Sequence, residues 1–394
     1  MCQTALHPFL EALPKCEHHM HIEGSLEPEL LFELAAKNGV ALPSPAADPA
    51  YASVEALRKR YEAFTGLDDF LGYYYVAMSA LVDASDFARL AEAYFRRAAS
   101  QNVRHAEVFF DPQAHSARGV ALATGARGAR VGVSSVLIMC VLRHLPPAEG
   151  VALFEEAREA GYFVAGGGSD DDASNGKDKE KKKEPVLGGI GLDSSEKPFP
   201  PELWTELYGA AKKAGVRRTA HAGEEGPAQY IVDSLDMLDA QRIDHGLRAV
   251  LEGDEGVTEA LLERLVEQKI MLTLCPLSNV RLRCLESVKD FPLRKLLDRG
   301  VRFSINSDDP AYFGGYILEN YCALQDAFNL SMREWESVAK GAVMGSWCAD
   351  RRKWEILSEI EALTGGVVNG IGRAVNVHPS PIASERSMYI YLPR

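Results

Sequence analysis

The sequence lacks a hydrophobic run long enough to cross a bilayer, which takes about 20 consecutive apolar residues. It is nevertheless 46% hydrophobic over 394 residues, which is enough for a large buried core. The first residues lack the basic stretch and apolar core that mark a secretory signal. We therefore expect a cytoplasmic protein without a membrane partner, and we leave a nuclear location open.

Cysteine pairs are also missing. The seven cysteines are scattered along the chain, and no two of them stand in a Cys-x-x-Cys spacing. An odd number without such a pair is typical of reduced thiols in the cytosol rather than of a disulfide framework. We expect most of these cysteines to be buried as small apolar side chains.

The sequence has fewer basic than acidic residues, with 43 Lys and Arg against 56 Asp and Glu, and its net charge is −13. Nucleic-acid surfaces carry basic stripes, so we expect no nucleic-acid partner. The sequence contains neither the Pro-Cys-x-x-Cys of cytidine-deaminase zinc sites nor the His-Glu-x-x-His of zinc proteases. Both of those classes of site are excluded.

The most informative segment that is present runs from Glu17 to Ser25 and contains His19 and His21. At the end of a strand, side chains two residues apart project to the same face, so His18 should point the other way. Imidazole nitrogens are common ligands of divalent transition metals, zinc above all. A lone His-x-His is nevertheless more often a chance pair in a polar turn.

Three later segments share one organisation: a β-like run, then a residue able to bind a metal or a proton, then Gly or Pro. They contain His221 with Glu224, then His245, then Asp308 with Asp309. Polar residues at the carboxyl ends of strands form the active site of a (β/α)8 barrel. Taken singly, each would more often be a structural histidine or a helix-capping aspartate. Four such segments in one chain favour a metal site.

The spacing of β-like runs indicates the fold. Amphipathic helical stretches separate most of the runs, which predicts a parallel sheet, and eight repeats predict closure into an α/β TIM barrel. The long segment before the second strand includes Tyr61–Leu71, which is either a helix packed on the barrel or a lid over the substrate. The predicted strands lie near Lys15–His19, Arg104–Phe110, Val133–Leu142, Val186–Leu192, Val216–His221, Arg242–His245, Ile270–Leu274 and Val301–Ile305.

The barrel domain is predicted to span residues 1–363, with an insertion at about 166–185. The insertion mixes blocks of both charges and has no apolar residue to anchor it, which predicts disorder. It precedes the fourth strand, so it should lie at the amino-terminal face of the barrel, away from the chemistry. Its lysine run, Lys177–Lys183, could be a nuclear-import signal, although a solvated loop is favoured. Residues 364–394 form a C-terminal extension without an assigned role.

Together these motifs resemble the adenosine/adenine deaminase family of metal-dependent amidohydrolase barrels, from about Leu13 to about Ile360. The resemblance implies extra helices after strand 1 that cover the active site. It therefore favours the interpretation of Tyr61–Leu71 as a lid over the substrate. The matching pieces are His19–Ser25, His221–Glu224, Arg242–Gly246 and Ser307–Pro310. Stretches similar to the fungal type of adenine deaminase are Phe109–His115, Gly191–Glu196, Cys275–Val280 and Pro310–Tyr316.

The resemblance implies a zinc-dependent hydrolysis of adenine to hypoxanthine and ammonia, in purine salvage, with adenine and water as the small-molecule partners. Glu224 would protonate purine N1 as an acid, and His245 would orient the attacking water and help to take its proton. One zinc ion per chain would be held by His19, His21, His221 and Asp308.

The resemblance also implies contacts to the substrate. Asp309 would hydrogen-bond N7, and Ser194 would bind N3 through its backbone N–H, with Gly191 and Asp193 beside it. Glu23 stands where nucleoside-binding members of the family have a shorter carboxylate, so it should leave less space for ribose. A conservative change of no consequence is the alternative interpretation of Glu23.

Other functions stay open on the sequence alone. Within enzymes, the alternatives are deamination of adenosine or of an N6-substituted AMP. From another class, the chain could be an inactive barrel that serves as a binding protein, although the presence of both Glu224 and His245 opposes this. The sequence does not indicate an oligomeric state.

Overall fold

The computed structural model of the chain describes residues 2–116, 118–120, 132–164, 186–251 and 255–368. Eight strands pair in parallel, each with its neighbours in sequence, in the order β1 to β8. Each observed strand begins and ends within one or two residues of the predicted one, so the predicted TIM barrel is confirmed. The strands are β1 (Lys15–Glu17), β2 (Val103–Phe110), β3 (Ser134–Leu142), β4 (Leu187–Asp193), β5 (Arg217–Ala222), β6 (Arg242–His245), β7 (Met271–Leu274) and β8 (Arg302–Ile305).

Helices separate most of the strands and surround the barrel. The long connection between β1 and β2 holds four of them, α2 to α5, which is more than a single β–α unit requires. In chain order the helices are α1 (His7–Ala12), α2 (Pro28–Asn38), α3 (Val54–Tyr61), α4 (Leu67–Met78), α5 (Ala84–Ser100), α6 (Pro112–Ser116), α7 (Pro147–Glu159), α8 (Thr205–Lys213), α9 (Ala228–Asp236), α10 (Arg248–Leu251), α11 (Glu255–Glu267), α12 (Pro276–Arg281), α13 (Leu293–Arg299), α14 (Pro310–Phe313), α15 (Ile317–Phe328), α16 (Met332–Gly345) and α17 (Asp350–Val368). Among the described residues, none of the helices combines the length and apolarity needed to cross a membrane.

The barrel closes through an extended segment that follows β1. On one side, Asp308 N–H donates to His19 C=O and His21 N–H donates to Asp308 C=O, each at 3.0 Å. On the other side, Phe109 N–H donates to Met20 C=O at 2.9 Å, so the segment lies between β8 and β2. This pairing fixes His19, His21 and Asp308 together at the carboxyl end of the barrel.

A buried charge pair crosses the barrel interior between strands that are not neighbours. Arg242 of β6 donates to Glu107 of β2 at 2.5 Å, and both side chains are almost fully buried. Burial alone would raise the pKa of Glu107, but the Arg242 charge holds it well below the usual range of a glutamate. Trp347 stacks on the Arg242 guanidinium at 4.0 Å, and its backbone N–H donates to Glu107. A buried ion pair of this kind is stable only when such additional contacts satisfy it.

The expectation of reduced thiols throughout the chain is wrong for one pair. Cys2 and Cys322 form a disulfide between the start of the chain and α15. These two residues are separated by 320 positions, so no local spacing could have indicated the bond. The other five cysteines are free, and Cys16, Cys140 and Cys275 are buried as expected.

The predicted insertion at 166–185 and most of the predicted C-terminal extension lie outside the described residues. The flanks of the insertion pair with each other, because Val164 N–H donates to Leu187 C=O at 2.9 Å and Val186 N–H donates to Tyr162 C=O at 2.8 Å. These flanks lie before β4, at the amino-terminal face. At the other end of the chain, α17 continues past the predicted domain boundary to Val368.

We predict that deleting residues 167–184 leaves the fold, the bound metal and kcat/KM for the substrate close to those of the full chain. The flanks are already paired and lie at the face opposite the carboxyl ends of the strands. Shortening such a loop changes the closure entropy by about 1 kcal/mol or less. The checks are the thermal midpoint and steady-state kinetics of the deletion variant. A folded variant with a large loss of kcat/KM would contradict the predicted placement.

Candidate active site

Four side chains converge where the extended segment, β5 and β8 end. The possible ligand atoms of His19, His21, His221 and Asp308 all lie within 4.8 Å of one another, and all four residues are buried. His19 Nε2 lies 3.1 Å and His21 Nε2 lies 3.6 Å from the same oxygen, Oδ1 of Asp308. The structure therefore brings together all four predicted ligands. His18 points elsewhere, as predicted, with its Nε2 2.7 Å from Ser346 Oγ.

The arrangement of these side chains fits a metal cation. His21 Nε2 and His221 Nε2 lie 3.2 Å apart, and their Nδ1 atoms face the carboxylates of Asp193 and Asp244 at 3.6 and 3.4 Å. If His21 and His221 each carry their proton on Nδ1, facing a carboxylate, then both Nε2 atoms are unprotonated and their lone pairs face each other. A cation between three imidazole nitrogens and one carboxylate oxygen would remove that repulsion, and this donor set suits zinc.

Asp244 anchors two of the histidines, and sequence reasoning did not assign it a role. Its carboxylate faces His221 Nδ1 and accepts hydrogen bonds from the hydroxyls of Thr219 at 2.7 Å and Thr273 at 3.0 Å. The Thr273 hydroxyl, whose single proton goes to Asp244, can accept from His19 Nδ1 at 2.9 Å. Partners of this kind fix the tautomer and orientation of metal-binding histidines.

Left-handed backbone occurs at three of the predicted site residues. Ser194, His245 and Asp308 have φ angles of 71°, 61° and 63°. This conformation is costly for residues other than glycine, and it concentrates at functional sites where the surrounding structure enforces it. At Asp308 the backbone is held by its hydrogen bonds to the His19–His21 segment.

Glu224 and His245 lie side by side next to the four-ligand group. His245 Nε2 is 3.5 Å from Glu224 Oε2 and 3.9 Å from Asp308 Oδ2. Asn279 Nδ2 lies 3.4 Å from both Glu224 Oε1 and His245 Nδ1, so it connects the two side chains. Burial and the nearby His19 lower the pKa of His245 well below the usual range, which keeps its imidazole neutral.

Glu224 has the environment that an acid requires. Burial, and then the charges of Asp308 and Glu196, raise its pKa well above the usual range of a glutamate. Glu196 also holds the backbone here, because its carboxylate accepts from the N–H groups of Gly223 at 3.0 Å and Glu224 at 2.7 Å. A raised pKa favours the protonated carboxyl group, which is the form that can donate a proton.

Asp309 lies close to the backbone of Gly24. A Cβ atom on Gly24 would approach Asp309 Cα to 2.7 Å and would overlap its side chain, so only glycine fits there. Asp309 is buried, and its Oδ1 has no hydrogen-bond partner among the described residues. Burial, and then the adjacent Asp308 carboxylate, raise its pKa well above the usual range. A protonated Asp309 can donate a hydrogen bond to an acceptor in the cavity.

One cavity joins these groups. Helix α4 lines it with Leu67, Phe70, Leu71, Tyr74 and Tyr75, and the first three of these belong to the segment predicted as a lid. Ser194, one of the lining residues, engages Tyr75 Oη at 3.0 Å and His144 Nδ1 at 2.9 Å through its hydroxyl. The remaining lining residues are His21, Asp111, Leu142, Asp193, His221, Glu224, His245, Leu282, Asp308 and Asp309.

Two of the predicted substrate contacts need correction. Gly191 does not line the cavity, because the space where its side chain would lie is filled by Cys140 Sγ inside the barrel. Glu23 does not line it either, since its Oε1 accepts from His115 Nε2 at 2.8 Å and from the Asp111 N–H at 3.2 Å. Glu23 therefore holds Asp111 and His115 through Oε1, while its Oε2 is buried without a hydrogen-bond partner among the described residues.

Comparison with known proteins agrees with this geometry. The family model for adenosine deaminase matches residues 14–165 and 177–363. The chain belongs to the adenosine deaminase family. An adenine deaminase of Aspergillus fumigatus is 50% identical over 370 residues, covering 92% of this chain and 97% of that protein. An adenine deaminase of Schizosaccharomyces pombe is 48% identical, with 92% and 94% covered.

Solved structures show the same fold. The crystal structure of an adenine deaminase from Arthrobacter aurescens superposes with a TM-score of 0.77 at 38% identity, covering 90% of this chain and 99% of that one. An amidohydrolase from Burkholderia ambifaria, solved with bound Zn, gives a TM-score of 0.71 at 25% identity, covering 94% and 97%. The second of these structural neighbours was therefore solved with bound metal.

Proposed function

We propose that this chain hydrolyses adenine to hypoxanthine and ammonia in purine salvage, with one zinc ion per chain. The observation that carries the proposal is the four-ligand group beside Glu224 and His245, at a cavity lined by His21, His221 and Asp308 of that group. The identity of about half of all residues with curated adenine deaminases supports adenine as the substrate. An inactive barrel would need neither of the two proton-transfer side chains.

Water is a poor nucleophile at neutral pH, and the proposed ligands His19, His21, His221 and Asp308 address this difficulty. A zinc ion held by them would lower the pKa of water from 15.7 to about 7, which stabilises hydroxide by on the order of 10 kcal/mol. Asp193 and Asp244 keep the Nδ1 protons of His21 and His221 away from this group.

His245 and Glu224 move the protons in this proposal. The neutral His245 imidazole orients the attacking water and accepts its proton. Protonated Glu224 donates to purine N1 as C6 becomes tetrahedral, so that negative charge does not accumulate on the ring. One side chain in such a role contributes about 10²–10⁴-fold, or roughly 3–5 kcal/mol.

The other polar residues of the cavity orient the ring. Protonated Asp309 donates to N7, and the backbone N–H of Ser194 donates to N3. Asp193 acts through His21 rather than on the purine, since its carboxylate faces that imidazole. Helix α4 excludes water, which strengthens each of these hydrogen bonds.

We predict that adenine is turned over far better than adenosine or AMP. The residues that line the cavity include no Arg or Lys, and a phosphate buried without a cation would cost several kcal/mol. The measurement is the loss of absorbance at the adenine band when adenine, adenosine and AMP are offered separately. If adenosine has the higher kcat/KM, the specificity proposal is wrong, although the deaminase chemistry would stand.

A further inference from the structure

Asp111 is a buried carboxylate of the cavity to which the proposed mechanism gives no role. It follows the last residue of β2 directly, lines the cavity and is 1% exposed. Its Oδ2 accepts from the Tyr74 hydroxyl at 3.3 Å. Its Oδ1 is buried and has no hydrogen-bond partner within the described part of the chain. A buried acceptor without a partner is costly unless a ligand supplies the donor.

A local structural role does not account for this side chain. An Asp-Pro sequence commonly starts a helix, with the carboxylate capping the first turn. Here Ala114 N–H donates to the backbone C=O of Asp111, and no described hydrogen bond joins the Asp111 carboxylate to α6. The carboxylate is therefore available to the cavity.

The backbone of Asp111 is fixed from behind. Glu23 accepts from the Asp111 N–H at 3.2 Å and from His115 Nε2 at 2.8 Å. Arg118 Nη2 approaches the other nitrogen of His115 to 2.5 Å. Glu23, which the sequence indicated as a determinant of specificity, thus holds Asp111 in place.

The strand order around the barrel relates Asp111 to the substrate. The proposed contacts place Glu224, after β5, on N1; Ser194, after β4, on N3; and Asp309, after β8, on N7. His245, at the end of β6, lies at C6. Around the purine, the order of positions is N1, N3, N9, N7 and C6. Around the barrel mouth, β3, β2 and β1 lie between β4 and β8, which is the arc that faces N9. The cavity residues of this arc are Leu142, Asp111 and the proposed ligand His21, so Asp111 is the carboxylate nearest to N9.

We propose that Asp111 accepts the N9–H of adenine and thereby selects the free base over nucleosides. The inference rests on the proposed function. In the N9–H form, N1, N3 and N7 are acceptors and N9–H is the one ring N–H donor. The cavity then matches three donors and one acceptor to the four ring nitrogens. A carboxyl oxygen that carries no proton accepts a hydrogen bond whether or not the other oxygen is protonated, and Asp111 Oδ1 is placed for this role.

A substituent at N9 removes the donor and occupies the space in front of Asp111. A nucleoside would leave Oδ1 buried and unpaired, in addition to the steric conflict of the sugar. Sites built to hydrogen-bond a substrate N–H reject analogues that lack it by about 10⁴–10⁵-fold. A nucleoside is thus rejected for two reasons: it lacks the N9–H hydrogen bond to Asp111, and its sugar clashes with the cavity wall.

The test uses adenine and 9-methyladenine as substrates, because the methyl group replaces the N9 proton without adding a sugar. For the wild type, we expect kcat/KM for adenine to exceed that for 9-methyladenine by on the order of 10³ or more. Asp111→Ala should lower kcat/KM for adenine by about 10–100-fold. It should also reduce the ratio between the two substrates at least tenfold, since the acceptor is gone and the methyl group has space.

Two further variants complete the experiment. Asp111→Ser, which is also too short to reach N9, should reduce the ratio in the same way if the alanine variant does not fold. Asp298→Ala, at an exposed position of α13, should leave both rates unchanged. An unchanged ratio in folded Asp111 variants would overturn the inference, even with reduced rates. Wild-type protein without activity on adenine would instead overturn the proposed function itself.

Discussion

Replacing Glu224 by Gln should lower adenine turnover by at least about a hundredfold while the metal content and the fold stay unchanged. Gln can still hydrogen-bond to N1, but it cannot deliver a proton to it. Burial of the carboxyl group, followed by the nearby charges of Asp308 and Glu196, raises its pKa and favours the protonated form. Because activity depends on that proton, wild-type turnover should fall as the pH rises through this pKa.

The neighbouring Glu225 provides a matched control. It is partly exposed, it does not line the cavity, and only its backbone N–H contacts Glu196. Glu225→Gln should therefore keep near wild-type kcat, with the alkaline fall in activity still present. The fall due to Glu224 should be absent from the residual activity of Glu224→Gln. A Glu224→Gln enzyme with more than about a tenth of the wild-type rate would contradict the acid assignment.

Replacing His21 by Ala should remove most of the bound metal and nearly all activity. His21 Nε2 lies within 3.2 Å of His221 Nε2 and 3.6 Å of Asp308 Oδ1, so it would contribute one of the four ligands. The measurements are metal per chain by elemental analysis and kcat with adenine. A variant that retains one tightly bound metal per chain would show that His21 is not a ligand.

His18→Ala is the corresponding control, with one revision that follows from the structure. The His18 side chain points to Ser346, so metal content should be retained. The sequence alone predicts that this variant keeps nearly unchanged metal content and activity. Because the imidazole is fully buried, the variant should lose about 1–3 kcal/mol of stability through a cavity and the loss of the hydrogen bond to Ser346. Thermal unfolding separates this loss from an effect on the metal.

Local patterns were sufficient to predict the barrel and a metal site at the ends of its strands, whereas the resemblance to the family supplied the identity of the four ligands. Strand periodicity and turn residues are encoded in neighbouring positions, and the strands appear where the runs of β-forming residues indicated them. His19, His21, His221 and Asp308 were candidates because each lies at or just after the end of a strand, and the carboxyl ends of parallel strands meet at one face.

Contacts between distant segments could not be predicted in the same way. Glu23 belongs to the motif of the first histidines, yet its carboxylate turns to His115, which lies 92 positions away. Gly191 lies within a motif of the family, but it serves the packing of Cys140. Asp111 and Asp244 gain their surroundings only when β2, β6 and β7 come together. Long-range packing of this kind leaves no periodic signal in the sequence.

The most direct test of the account is to follow adenine deamination as metal-free protein is titrated with zinc. The described ligands form a single four-ligand group beside Glu224 and His245. The rate of hypoxanthine formation should therefore rise from near zero in proportion to bound zinc and reach its maximum at about one equivalent per chain. Metal-free protein, verified by elemental analysis, that deaminates adenine at the full rate would contradict the account.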